Sequence, residues 1–143
     1  DVLALRAGLA DGTIDIVATD HAPHPAEDKD CEWQAAAFGM LGLETALSVV
    51  AKAMIESKLM DWSGLVKVMS VNPAKIAGYE NHGGEIKVGS SGNFAVIDTK
   101  ATWRVDRNRL ASKSKNTPFE GMELPAKVLA TIFNGKLVHG GQS

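Results

Sequence analysis

The sequence predicts an α/β protein, and two contrasts along the chain support this class. In the first part, one short apolar run of β type, residues 14–18, lies among segments whose apolar residues recur at helical spacing. After Tyr79, glycines cluster and several short β-type runs follow one another, with Asn134-Gly135 as a hairpin signal between the last two. We therefore expect a helix-rich unit, residues 1–80, and a β-domain, residues 81–143.

The helix-rich part is expected to begin with a short helix and a turn at Asp11-Gly12-Thr13, followed by a buried strand over residues 14–18. A long polar loop then covers residues 20–42. The next helix is predicted over residues 43–57, with Glu44 and Thr45 as caps. Its core face consists of apolar residues at helical spacing: Leu43, Ala46, Leu47, Val50 and Met54.

Two shorter helices are expected to complete this part. The first would be capped by Asp61 or Ser63. The second would be capped by Asn72, carry Pro73 in its first turn and end at Gly78. The strands of the β-part are predicted over residues 94–97, 102–105, 127–133 and 136–138.

Composition limits the possible classes of function. The 143 residues are 45% hydrophobic and 22% charged, enough for one globular unit with a real core. The net charge of −2 predicts neither a nucleic-acid-binding nor a membrane-binding surface, and no apolar run approaches the length of a membrane span. The single cysteine, Cys31, cannot form an internal disulfide, so we expect a reducing, cytoplasmic environment.

The chemistry is expected where the predicted strand ends. Asp20, His21 and His24 follow residues 14–18 directly, and ligands bind at this end of the strands in α/β folds. An aspartate in this position is more often a cap or turn residue, and for His21 we favour a structural or second-layer role over a ligand role. Lys29 is expected to anchor the loop. Other polar residues are expected to face water: Glu27, Asp28, Asp30, His82 and His139.

The run from Ala18 to Lys29 resembles a signature of dihydroorotases in the amidohydrolase superfamily. That signature has a small residue and Ser/Thr, then Asp-x-Ala-Pro-His, four residues and Lys, and residues 18–29 fit it with the spacing intact. Residues 38–45 also resemble a segment of the bacterial type I enzymes, and residues 112–121 resemble a late segment of dihydroorotases. Residues 70–78 and 84–98 resemble segments found more widely in amidohydrolases. One departure is Gly92-Asn93, where relatives commonly have Ala-Asp, and a structural effect is expected there.

The resemblance implies a fold and an activity. The chain would hold the last βα unit or units of a TIM-type (β/α)8 barrel, with residues 14–18 as the eighth strand, followed by a small C-terminal β-sandwich. The activity would be reversible cyclic amide hydrolysis between L-dihydroorotate and N-carbamoyl-L-aspartate, a step of pyrimidine biosynthesis. Asp20 would be catalytic and a metal ligand, whereas His24, Phe38 and Gly39 would bind substrate. One or two Zn²⁺ ions are implied, with most ligands outside this chain.

The resemblance also implies a homo-oligomer and, in some members, a complex with aspartate carbamoyltransferase. Two alternatives remain open: another cyclic amidohydrolase, such as a hydantoinase (dihydropyrimidinase) or allantoinase, and a non-catalytic scaffold of aspartate carbamoyltransferase. The presence of Asp20 and His24 argues against the scaffold, which needs neither. We expect the 143-residue chain to be a C-terminal piece that is inactive alone, because the one aspartate of the signature and four scattered histidines cannot supply a complete metal shell.

Overall fold

The computed structural model describes residues 1–140. Five α-helices precede a three-stranded sheet. The helices are α1 (Val2–Asp11), α2 (Ala26–Lys29), α3 (Ala46–Val50), α4 (Trp62–Val66) and α5 (Asn72–Ala77). The strands are β1 (Phe94–Arg104), β2 (Glu123–Phe133) and β3 (Lys136–Gly140), and a 3₁₀ turn, Arg107–Arg109, follows β1. No helix within residues 1–140 is both long and apolar enough to cross a membrane.

The first helix ends at the predicted turn. Gly12, with φ of +87°, ends α1, and the Asp11 carboxylate accepts a hydrogen bond from the backbone N–H of Thr13 at 2.9 Å. This hydrogen bond lowers the pKa of Asp11 below its ordinary value, because it stabilises the charged form. The predicted short helix and turn are therefore confirmed.

Residues 14–18, predicted as a buried strand, pair with no strand within residues 1–140. The segment is extended but belongs to no sheet, and its apolar side chains are only half-buried. Its backbone instead bonds to the helices: Val17 N–H donates to Val68 O at 3.1 Å, and Asn72 Nδ2 donates to Asp15 O at 2.8 Å. A strand needs neighbours to form a ladder, and none lies beside this segment among residues 1–140.

The helix predicted over residues 43–57 is present but shorter. It begins with α3 and continues as a π-helical stretch, Ala51–Ile55. Leu43 lies outside it and is 62% exposed, so its predicted core role is wrong, whereas Val50 and Met54 are buried. Glu44 does not cap the helix, because its carboxylate accepts the N–H groups of residues 111 and 112. Thr45 occupies the N-cap position without a side-chain capping bond.

The two later helices form one continuous helical segment. It runs from α4 through a π-helical stretch, Lys67–Val71, into α5 and ends at Gly78, whose φ is +71°. Asn72 is therefore not a cap, and its side chain binds the Asp15 carbonyl instead. The π-helical stretch ends two positions before Pro73, which lies in the first turn of α5, where a residue without a backbone N–H is tolerated.

Asp61 caps the start of this segment, as one of the two predicted alternatives, and its Oδ1 accepts the N–H of Gly64 at 2.8 Å. We expect Asp61→Ala to lower the free energy of unfolding by about 1 kcal/mol, because the start of this helix loses its capping acceptor. Thermal or urea unfolding would measure the loss. Asp61→Ser keeps an acceptor and should recover most of it, and equal losses in both variants would contradict the capping role.

The β-part is one antiparallel sheet with strand order β1-β2-β3. The predicted hairpin is confirmed: Phe133 pairs with Lys136, and Asn134 and Gly135 have φ of +48° and +73°, the signs a type I′ turn needs. The predicted runs 94–97 and 102–105 belong to one irregular strand, β1. A β-sandwich needs a second sheet, and residues 1–140 contain a single sheet, so the sandwich is not confirmed.

Gly92-Asn93 supports the hairpin, in line with the structural effect expected there. Asn93 Nδ2 donates to Asn81 O at 3.0 Å, and its Oδ1 accepts the N–H of Asn134 at 2.7 Å. A Cβ on Gly92 would lie 3.0 Å from Gly135 Cα, so the absent side chain permits this close approach. Asn93 thus ties the connection before β1 to the turn between β2 and β3.

The helices and the sheet share one core. Met54 and Leu65 from the helices pack with Ala126 of β2, together with Val50 and Ala51. Ala126 is fully buried and has φ of +61°, a left-handed conformation unusual for alanine. Its carbonyl accepts hydrogen bonds from Ser48 Oγ at 2.8 Å and Trp103 Nε1 at 3.1 Å. These contacts fasten α3 to the sheet, so the two sequence units are packed together.

The residues expected to face water mostly do so. Glu27, Asp28, Asp30 and His82 are exposed. His82 also contacts the rings of Tyr79 and Phe133, with centroids 5.8 and 6.0 Å away. His139 is exposed as predicted, but it lies in β3, paired with Thr131, rather than in a tail.

Candidate active-site loop

Two loop segments, residues 20–24 and 38–42, lie side by side and bring two of the predicted site residues, His24 and Gly39, together. His21 and Met40 form an isolated parallel bridge, and Ala22 N–H donates to Met40 O at 3.0 Å. Asp20 stands at the start of this paired stretch and His24 near its end. The pairing places the signature residues and the Phe38-Gly39 segment in one part of the surface.

Asp20 is exposed and adopts φ of +45°, in the left-handed region. Non-glycine residues rarely take this conformation, although aspartate and asparagine tolerate it better than most. Backbone strain of this kind is concentrated at functional sites. The turn at Asp20 separates the extended segment before it from the bridge at His21.

His21 has the structural role that the sequence favoured. Its Nδ1 accepts the backbone N–H of Gly42 at 3.1 Å and lies 3.4 Å from the N–H nitrogen of Leu43. A nitrogen that accepts backbone N–H groups is engaged and cannot bind a metal at the same time. His21 therefore holds the two loop segments together.

His24 and Gly39 are in direct proximity. Gly39 has φ of +124°, and a Cβ placed there would lie 2.5 Å from Ala22 Cβ and 3.2 Å from His24 Nε2. Only glycine fits this approach, because any side chain would collide with Ala22. His24 also lines a cleft of about 700 Å³, which Asp20, Phe38 and Gly39 do not line.

Phe38 projects into solvent, with 96% of its surface exposed. Its side chain thus has little contact with the described residues, and its peptide groups are the part held in place by the loop. This geometry is compatible with the predicted contact through backbone groups.

The loop is anchored by side chains from two distant parts of the chain. Lys29 Nζ donates to Ala37 O at 2.7 Å and to Gly39 O at 2.9 Å, so the expected anchoring role of Lys29 is present. Asn116 Nδ2 donates to the same Gly39 oxygen at 3.0 Å. Ser114 Oγ donates to His24 O at 2.6 Å and also contacts Asn116 Oδ1.

Sequence reasoning assigned no role to Ser114 or Asn116. Residues 112–121 were recognised only as a family-like segment, and the structure places them against the Asp20–Gly42 loop. Leu41 N–H also donates to the Asn116 carbonyl, at 3.2 Å. Sequence spacing does not indicate that residues 114 and 116 contact a loop more than 70 positions earlier. The polar character of residues 112–116 was the only feature of the sequence that could have suggested a role.

A protein zinc site needs three or four side chains that converge on one point. Within residues 1–140, no three His, Cys, Asp or Glu side chains converge on one point. The exposed Asp20 carboxylate is an oxygen ligand of the kind zinc accepts. The described residues thus fit zinc as the source of one carboxylate ligand and do not form a complete site.

Nearly the whole sequence matches one known protein family. Residues 1–138 match the amidohydrolase family, and the chain belongs to this family.

Among curated relatives, the chain is similar to dihydroorotases. It is 56% identical over 136 residues to the dihydroorotase of Streptomyces coelicolor, covering 95% of this chain and 32% of that protein. It is 51% identical to the dihydroorotase of Mycobacterium leprae, covering 99% of this chain and 33% of the relative. The chain therefore spans about a third of the length of the curated relatives it matches.

Solved structures with the same fold include hydantoinases. The L-hydantoinase (dihydropyrimidinase) of Arthrobacter aurescens superimposes with a TM-score of 0.87 at 32% identity, over 96% of this chain and 31% of that one. The D-hydantoinase (dihydropyrimidinase) of a Thermus species gives a TM-score of 0.86 at 25% identity, with the same coverage. The arrangement of residues 1–140 is thus that of a portion of these larger enzymes.

Proposed function

We propose that this chain forms part of a dihydroorotase, which interconverts L-dihydroorotate and N-carbamoyl-L-aspartate. The observation that carries the proposal is the pairing of residues 20–24 with residues 38–42, which sets His24 of the signature beside Gly39. The higher identity to dihydroorotases than to hydantoinases supports this substrate. Residues 1–80 would complete the barrel, and residues 81–143 would belong to the C-terminal β-domain.

Asp20 is proposed as the general base and acid. Hydrolysis forms a bond between water oxygen and the ring carbonyl carbon and breaks the bond from that carbon to nitrogen. Asp20 would accept one proton from water and give it to the departing nitrogen, so Asp20 ends the cycle ionised as it began. The carboxylic acid formed from the ring carbonyl would release its proton to solvent at neutral pH. A bound Zn²⁺ would lower the pKa of water and polarise the carbonyl. Asp20 would also supply one of its ligands.

His24, Phe38 and Gly39 are proposed to hold the substrate. The His24 imidazole would donate a charge-assisted hydrogen bond to the substrate carboxylate, which hydantoin and dihydrouracil lack. The peptide groups of Phe38 and Gly39 would contact the ring, in keeping with the exposed Phe38 side chain and the fixed Gly39 backbone. Ring binding by backbone groups requires a rigid loop.

The competing activity is that of a hydantoinase or dihydropyrimidinase, which the fold neighbours favour. The two are separated by assaying the full-length enzyme that contains this segment with dihydroorotate, dihydrouracil and hydantoin. We expect kcat/KM for dihydroorotate to exceed the other two values by about 10²-fold or more, because a site built for a carboxylate discriminates against rings without one. Preference for either uncharged ring would refute the dihydroorotase assignment.

The remaining parts of the proposal follow the family. The enzyme would be a cytoplasmic homo-oligomer. As in some members of the family, it would also bind aspartate carbamoyltransferase. The isolated 143-residue chain would be inactive, because the described residues converge on no complete metal site. An allantoinase or a scaffold without activity would fail the assay with dihydroorotate.

A further inference from the structure

The Gly39 carbonyl oxygen receives two hydrogen bonds from separate parts of the chain. Lys29 Nζ donates to it at 2.9 Å and Asn116 Nδ2 at 3.0 Å. The same ammonium donates to Ala37 O at 2.7 Å, so its hydrogen bonds flank the Phe38-Gly39 dipeptide on both sides. Lys29, Gly39 and Asn116 are all partly buried. We call the Lys29 and Asn116 side chains the carbonyl clamp.

The clamp acts on a backbone that would otherwise be mobile. Glycine has access to more conformations than any other residue, and Gly39 is held at φ of +124°. In a planar trans peptide the C=O and N–H groups point in opposite directions. Fixing the Ala37 carbonyl therefore fixes the direction of the Phe38 N–H, and fixing the Gly39 carbonyl limits rotation on the other side of the dipeptide.

We propose that Lys29 and Asn116 are positioning residues, which preorganise the Phe38-Gly39 backbone for binding the cyclic amide substrate. This inference rests on the proposed function, because it assigns the ring contact to that backbone. Both side chains are occupied with carbonyl groups of the protein, so they act through the loop. A preorganised loop has less conformational freedom to lose when substrate binds.

The test is steady-state kinetics of Lys29→Met and Asn116→Ala in the full-length enzyme. Each variant removes donors to the Gly39 carbonyl and should raise KM for the preferred cyclic amide about tenfold, with kcat within about threefold. Lys29→Arg keeps hydrogen-bond donors and should keep KM within about threefold of the wild type. Recovery of KM in Lys29→Arg would show that the hydrogen-bond donors at position 29 set KM.

Lys52→Met is the control. Lys52 Nζ also donates to a backbone carbonyl, that of Glu123 at 3.3 Å, and lies 3.7 Å from Glu56 Oε2, but none of these groups belongs to the Phe38-Gly39 loop or to the segment that carries Asn116. The control loses the same kind of interaction and should leave KM unchanged. A KM increase in Lys52→Met equal to that in Lys29→Met would overturn the proposal.

A double-mutant cycle adds an independent readout. Because Lys29 and Asn116 share one acceptor oxygen, the KM effect of the double variant should be smaller than the product of the single effects. An unchanged KM in both single variants overturns the clamp. The wild-type substrate profile separates this failure from failure of the proposed function: if dihydrouracil is preferred, the dihydroorotase assignment fails while the clamp is still tested with dihydrouracil.

Discussion

Asp20→Asn is expected to lower kcat about 10³-fold in both reaction directions, since general acid–base catalysis contributes about 10²- to 10⁴-fold. The amide has the shape of the carboxylate but cannot take a proton from water. Asp20 is exposed and lies in a left-handed turn, so the substitution removes the charge at a site where asparagine tolerates the backbone conformation. Steady-state assays of the full-length enzyme with dihydroorotate and with N-carbamoyl-aspartate would measure the loss.

Asp15→Asn is the matched control for this prediction. Asp15 is an exposed aspartate five positions earlier, and only its backbone carbonyl is engaged, by Asn72. The control should retain kcat within about twofold, as is usual for surface substitutions.

Metal content, measured by atomic emission, separates the two roles of Asp20. Full metal content with lost kcat indicates proton transfer, whereas parallel loss of both indicates that the ligand role dominates, and kcat within tenfold of wild type refutes both.

His24→Ala is expected to raise KM for dihydroorotate about 30- to 100-fold, as for loss of a hydrogen bond to a charged group. The same substitution should change kcat/KM for dihydrouracil less than about threefold, because that ring lacks the carboxylate. His24 Nε2 lies beside the Gly39 backbone, whereas its carbonyl is held by Ser114 and is unaffected by the substitution. A loss of kcat/KM that is large for dihydroorotate and small for dihydrouracil would identify His24 as the group that binds the carboxylate.

His82→Ala is a control for the histidine substitution itself. His82 is exposed, and its ring contacts those of Tyr79 and Phe133 rather than the paired loop segments. It should leave both substrates unaffected. An equal loss with dihydroorotate and dihydrouracil in His24→Ala would show that His24 supports the loop in general and does not recognise the carboxylate.

Features that depend on neighbouring residues were predictable from the sequence. The Asn134-Gly135 turn, the Asp61 cap and the helix end at Gly78 all form through backbone angles or hydrogen bonds spanning a few residues. The signature around Asp20 and His24 lies in the loop that the structure pairs with residues 38–42. Local patterns failed at Asn72 and Glu44, because both side chains bind partners far along the chain.

The sequence by itself determined the local turns and caps, the α/β content and the motif that identifies the family. Only the tertiary structure decided how the site is held. Asn116 meets Gly39 across 77 positions and Ser114 meets His24 across 90, and no local pattern predicts such contacts. The extended segment at residues 14–18 shows the same dependence, because a strand exists only with partners, and here helix backbone and side chains take their place. Hydrogen bonds between distant residues depend on chain topology, whereas caps and turns depend on local backbone angles.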